Sequence, residues 1–213
     1  MRRKTLTLVS VVVLIAAGVL LLHRRFSGSA INLRPSVAVG EVLADETVRL
    51  LGGSGKVVVV GRAVVRDGQS AASEQLASFN SAIVRRGSPT VVATEWLPRP
   101  APLTMNAGDV TTDRLLQIVE KNPEADALIL FAGLPPFSPA LAQKLEGRPV
   151  KLLAVCGYSP NVRRWLAARA LAVAVVPRFG ELPSGAPAPK TAKEWFSQEY
   201  ELLTPQRVGE LPY

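Results

Sequence analysis

Five short apolar runs, each separated from the next by a stretch of helical periodicity, constrain this chain more than any other feature. They fall at Lys56–Val60, Pro89–Trp96, Asp126–Gly133, Val150–Cys156 and Leu171–Val176. The middle run, Asp-Ala-Leu-Ile-Leu-Phe-Ala-Gly, is continuously apolar rather than alternating, the pattern of a strand buried on both faces of a parallel sheet. Strand and helix alternating in this way predict an α/β three-layer sandwich with a five-stranded parallel sheet and right-handed crossovers. The expected strand order is 2-1-3-4-5, with a switch point between the first and third strands. Ligands of such sheets meet the loops at the carboxyl ends of the strands.

The intervening stretches carry helix signals. Val39, Val42, Leu43 and Leu50 recur at near-helical spacing up to about Leu51, where Gly52-Gly53-Ser54-Gly55 stops the helix. That glycine cluster precedes a strand instead of following one, so it is a cap and turn and not a phosphate loop. Ala72, Leu76, Phe79 and Ile83 share a face of the next helix, which Gly87 ends. Thr111 or Thr112 caps a third helix through Lys121, and Ser138-Pro139 and Ser159-Pro160 each start another. A proline-laced loop covers Leu97 to Asp109. Beyond Pro177, a linker rich in Pro, Gly and Ala leads to a tail with a short helix near Ala192–Ser197 and an extended Tyr200–Leu203. Trp195, Phe196 and Tyr200 are read as packing anchors.

Thr5 to Leu22 is an 18-residue run without charge, which as a helix would span roughly 27 Å, about the thickness of a bilayer's hydrocarbon core. A cleaved signal peptide is the rival reading, with Gly28-Ser29-Ala30 as small residues for a protease. The length of the run and the charged His23-Arg24-Arg25 behind it favour a retained anchor. The expectation is therefore an N-terminal transmembrane helix contacting membrane lipid. Arg2, Arg3 and Lys4 hold the amino terminus inside, and the body lies on the periplasmic side of a bacterial inner membrane. The expected organisation is an anchor with basic flanks over 1–25, a stalk over 26–36, an α/β lobe over 37–178, and a linker with a packed tail over 179–213.

The formal net charge is +8, but five of those charges lie in residues 1–25, leaving three for the remaining 188 residues. Nucleic-acid binding is therefore not expected. The single cysteine, Cys156, forbids an intramolecular disulfide, and the single histidine, His23, lies in the amino-terminal flank. A Cys/His zinc site and a Ser–His–Asp triad both need residues the body lacks. No cofactor is expected.

Several segments resemble one lobe of the type I periplasmic binding proteins, the sugar-binding group. They are Gly55-Lys56-Val-Val-Val-Val60, Asn122-Pro123-Glu-Ala-Asp126-Ala-Leu-Ile129, Ala174-Val-Val-Pro177-Arg178 and Ala192-Lys-Glu-Trp195-Phe-Ser-Gln-Glu-Tyr200 with Thr204-Pro205. The resemblance covers roughly Val37 to Glu210. It implies solute binding at the sheet's carboxyl edge, between this lobe and a second body. It also implies a polar Asn-Asp pair and an acid after the two middle strands, where this chain has Ala132-Gly133-Leu134-Pro135 and Gly157-Tyr158-Ser159.

The loops at the strand ends offer Arg62, Asp67, Glu95, Trp96, Phe137, Tyr158 and Arg178 as ligand-binding candidates. The expected function is a membrane-tethered, non-catalytic binding or scaffolding domain outside the cytoplasm, meeting a small solute or a second protein subunit. The alternative is a small hydrolase or transferase in which Asp67 and Glu95 share acid–base work. Pro135-Pro136-Phe137 is either an apolar wall for a ligand or a rigid strand-to-helix connection.

Overall fold

The computed structural model describes residues 32–62, 70–87, 89–98, 110–157, 160–178 and 187–210. Leu33 onward belongs to one compact unit. It opens with helix α1, Arg34–Leu51, which has Pro35 in its first turn and ends where Gly52 takes a left-handed φ of 65°. Strand β1, Lys56–Arg62, comes next. Helix α2, Ala71–Arg86, starts in a capping box in which Ser70 and Ser73 satisfy each other's backbone N–H, and ends at Gly87. Then come β2 (Thr90–Leu97), α3 (Thr112–Lys121, capped by Thr111) and β3 (Ala127–Leu130). After them are α4 (Pro139–Glu146, capped by Ser138), β4 (Lys151–Val155), α5 (Pro160–Ala167) and β5 (Val173–Pro177). Helix α6, Ala192–Glu199, is started by a Thr191–Glu194 capping box, and it runs directly into β6, Tyr200–Leu203. A short 3₁₀ turn over Pro205–Glu210 ends the described chain.

The sheet corrects the expectation of five parallel strands. It has six, in the order β2-β1-β3-β4-β5-β6, and β6 is antiparallel to β5. The extended stretch near residue 200 is not a tail laid across the domain but an edge strand. Its register, Ala174 opposite Leu203 and Pro177 opposite Tyr200, gives the β5 backbone a partner on its outer side.

Two cores lie on the two faces of the sheet, and the period of two along each strand sorts residues between them. Val58, Val60, Leu128, Leu130, Leu152 and Ala154 face α3, α4 and α5. Val57, Val59, Ala127, Ile129, Leu153 and Val175 face α1, α2 and α6. In β3 every residue is at most 2% exposed, so each large side chain contributes about 1.5–3 kcal/mol of burial. Trp165 of α5 is fully buried and donates its indole N–H to the Pro135 carbonyl at 3.0 Å.

The expected anchor over Thr5–Leu22 lies outside the described residues. Among the described residues no helix is long and apolar enough to cross a membrane. The recognition of the chain as a membrane-anchored lobe is corrected accordingly. The single-pass arrangement, the lipid contact and the inner-membrane placement rested on that anchor and are not retained.

The approach of α1 to α2 depends on one missing side chain. A Cβ on Gly40 would meet the Ser78 hydroxyl at 1.9 Å, the Gln75 carbonyl at 2.3 Å and the Phe79 nitrogen at 2.7 Å. Two of those three atoms are backbone and cannot rotate away. Alanine would gain about 1 kcal/mol of helix propensity, but overpacking of this kind costs about 1–3 kcal/mol. Gly40→Ala is therefore expected to destabilise the fold by about 1 kcal/mol net, or roughly 2–4 °C in the thermal midpoint for a domain of this size. A midpoint at or above wild type by circular dichroism would show that the helices can part.

Candidate functional site

The carboxyl ends of β1, β4 and β5 open onto a groove of about 340 Å³ at the switch point of the sheet. Arg62 closes β1, Val155 closes β4 and Pro177 closes β5, while Phe131 and Ala132 come just after β3. Its wall is nearly evenly divided between polar and apolar surface. Three polar groups stand in it: the Arg62 guanidinium, the Gln75 amide and the Tyr200 phenol.

Each is positioned by a different element. Arg62 donates from Nη2 to the Ala132 carbonyl at 3.0 Å, tying the end of β1 to the loop after β3. Gln75 is on α2, on the inward face it shares with Phe79 and Ala82, and is only 7% exposed. Its amide makes no side-chain hydrogen bond among the described residues, and its polar atoms are not closed off from solvent. Tyr200 begins β6 and stacks on Phe196 with ring centroids 5.9 Å apart. Burial, with the charge of Glu199 adding to it, holds its phenol above the ordinary tyrosine range and therefore as a neutral donor. Phe131 packs edge-on against Phe79 at 5.6 Å and forms the apolar floor.

Of the five expected site residues that the structure describes, it brings Arg62 alone to this groove. Glu95 is on β2 with its side chain 9% exposed, between Lys121 Nζ at 2.5 Å and Arg114 Nη2 at 3.4 Å. It fastens α3 to the edge of the sheet. Trp96 is 48% exposed and lies over Gly61, whose lack of a Cβ admits the ring. Phe137 stacks edge-on against Trp165 at 5.6 Å, and Asn161 clamps its loop through the Phe137 N–H and the Pro135 carbonyl. The Pro135-Pro136-Phe137 stretch is thus a rigid connection. Arg178 is exposed, and its backbone N–H donates to the Glu199 carbonyl. Asp67 and Tyr158 lie outside the described residues.

Gln75, Phe131 and Tyr200 were not predicted. The signal for Gln75 is a polar residue on the apolar face of a helix, four residues before Phe79. Phe131 is a large apolar residue just past a strand end.

Cys156 also lines the groove, and burial pushes its thiol up from 9.0 to about 12. Part of the residue's surface remains accessible, but the side chain packs against the core beneath α3–α5. Among the described residues no three His, Cys, Asp or Glu side chains are placed to hold a metal ion.

No protein-family model and no curated protein matches the chain. Solved structures do match in fold. An arabinose-binding protein from Geobacillus stearothermophilus is 14% identical with a TM-score of 0.57, over 84% of this chain and 63% of that one. The sugar-binding protein of a sugar ABC transporter from Bacillus halodurans gives 14% and 0.57, over 83% and 64%. An ABC-transporter solute-binding protein from Burkholderia graminis, solved with D-arabinose, gives 14% and 0.57, over 84% and 62%. The chain therefore spans less than two thirds of each of these proteins, and at such identities the likeness is one of fold.

Two outcomes test the chemistry of the site. Glu95→Gln is expected to cost about 1 kcal/mol of stability, since both cations it leaves behind reach solvent; a drop of several kcal/mol in urea unfolding would contradict this. Iodoacetamide at pH 8 should alkylate Cys156 at least about 100-fold more slowly than an exposed cysteine, because only about one thiol in 10,000 is ionised. The raised thiol also sets a sign for stability. Its contribution is intact below about pH 9 and is lost as the pH rises toward 12, because the unfolded chain releases that proton first.

Proposed function

We propose that this chain is a non-catalytic binding domain that holds a small polar solute in the groove at the carboxyl edge of its sheet. The observation that carries the reading is the convergence of Arg62, Gln75 and Tyr200 on one groove of mixed polar and apolar lining at the switch point. A few convergent polar groups beside apolar surface are suited to orienting a ligand. An aromatic floor with neutral donors and one cation suits a hydroxyl-rich molecule, and the structural neighbours include proteins described as binding arabinose.

The same set argues against the hydrolase or transferase alternative. Glu95 is held by two cations, and the Cys156 thiol stays protonated, so neither supplies an activated nucleophile or base to the groove. We place a closing wall of the groove on a second body, a further copy or another protein, meeting residues of the expected 37–178 lobe and the 179–213 segment.

Calorimetry and thermal shift with a panel of monosaccharides and amino acids test this reading. At least one compound should stabilise the protein. Gln75→Met, which keeps volume, and Tyr200→Phe should each weaken its binding about tenfold, the equivalent of one hydrogen bond. No stabilisation by any member of the panel, or unchanged affinity in both variants, overturns it.

A further inference from the structure

A second cavity, of about 400 Å³, lies at the opposite, amino edge of the sheet. Its walls come from elements distant in sequence. Arg49 stands near the end of α1, Lys151 opens β4, Arg169 sits in the turn after α5, and Thr204 and Gln206 come after β6. Among the described residues three cations line it and no carboxylate does. Arg49 shares Glu46 at 2.6 Å, which offsets one charge. Lys151 and Arg169 have no ion-pair partner among the described residues. The nearby Asp126 carboxylate accepts from the Lys56 backbone N–H at 2.8 Å and does not line the cavity.

An independent observation falls on the same spot. Arg169 has φ +54°, the only positive φ of a non-glycine residue among those described. Its N–H donates to the Leu166 carbonyl in the turn that ends α5. That left-handed position is usually filled by glycine, which adopts it without steric cost. An arginine there bears the steric cost that glycine would avoid in this helix-ending turn, and strain of this kind clusters at ligand clamps. The strained backbone puts a guanidinium on the wall of a cavity that already holds two cations.

We propose that this cavity binds a soluble, compact anion of the phosphate class. The planar fork of Arg169 matches two phosphate oxygens, Lys151 adds a point charge, and the Thr204 hydroxyl and Gln206 amide supply neutral donors. The site is separate from the solute groove, since the two lie at opposite ends of β4, β5 and β6.

The test titrates inorganic phosphate and pyrophosphate into the full chain by calorimetry, with sodium chloride at matched ionic strength as the reference. Saturable binding of pyrophosphate is expected. Arg169→Gly should weaken it at least tenfold while leaving the thermal midpoint without anion unchanged or higher, because glycine relieves the strain. Lys151→Gln should weaken it about tenfold and provides a variant that leaves the turn intact. Pyrophosphate binding in Arg169→Gly equal to wild type, or an equal response to chloride, overturns the proposal. Binding to phosphatidylglycerol vesicles without binding to free pyrophosphate overturns it as well, since the surface would then read a lipid headgroup.

Discussion

The structure rests on the backbone pairing around Asp126, the residue that leads into the central strand. Its N–H donates to the Lys56 carbonyl at 2.8 Å, its carboxylate accepts from the Lys56 N–H, and its carbonyl accepts from the Lys151 N–H. One residue thereby sets the starting register of β1, β3 and β4 together. Beyond it, Ala127–Leu130 pairs with a strand on each side and is covered on each face. A strand in that position has no route to water for any polar group, so its side chains must be apolar and both layers of helices must be present. Gly55 takes φ +144° beside the Asp126 side chain, close enough that a Cβ would sit 3.1 Å from its oxygen. The turn before β1 and the register of the sheet are therefore one device.

Much of this was legible in the sequence because each signal was local. The caps at Thr111 and Ser138, the stops at Gly52 and Gly87, and the continuous runs that became β1, β3, β4 and β5 depend on neighbours within a few residues. β6 was seen as extended but not as a strand of the sheet. Its four residues show no clear alternation in burial, and only the unpaired edge of β5, which no local pattern reveals, gives them a place. The anchor rests on the uncharged run Thr5–Leu22 and its basic flanks, which lie outside the described residues, and no helix among the described residues is long and apolar enough to cross a membrane.

The site was less legible than the fold, for a physical reason. Position at a strand's end marks a candidate in the sequence, but it does not say whether a charge there is free. Glu95 shows the difference: its carboxylate meets Lys121, 26 residues on, so its charge holds structure together. Phe137 is drawn inward by Trp165, 28 residues later. The groups that do reach the groove, Gln75 and Tyr200, come from a helix and from the start of an antiparallel strand. The sheet's twist and the packing of α2 bring them there, and neither is a property of any short stretch.

The reversed edge strand bears on how the molecule comes into being during translation. The five parallel strands are complete once Pro177 has been made, and they can pair before the rest of the chain emerges. Tyr200, which begins β6, and Thr204, just past its end, are made afterwards, and each supplies a wall to a different cavity. A nascent chain can thus hold most of its sheet while neither cavity is finished. The four residues of β6, spanning roughly 13 Å at ~3.3 Å each, carry a wall of one cavity at one end and lead into a wall of the other at the opposite end.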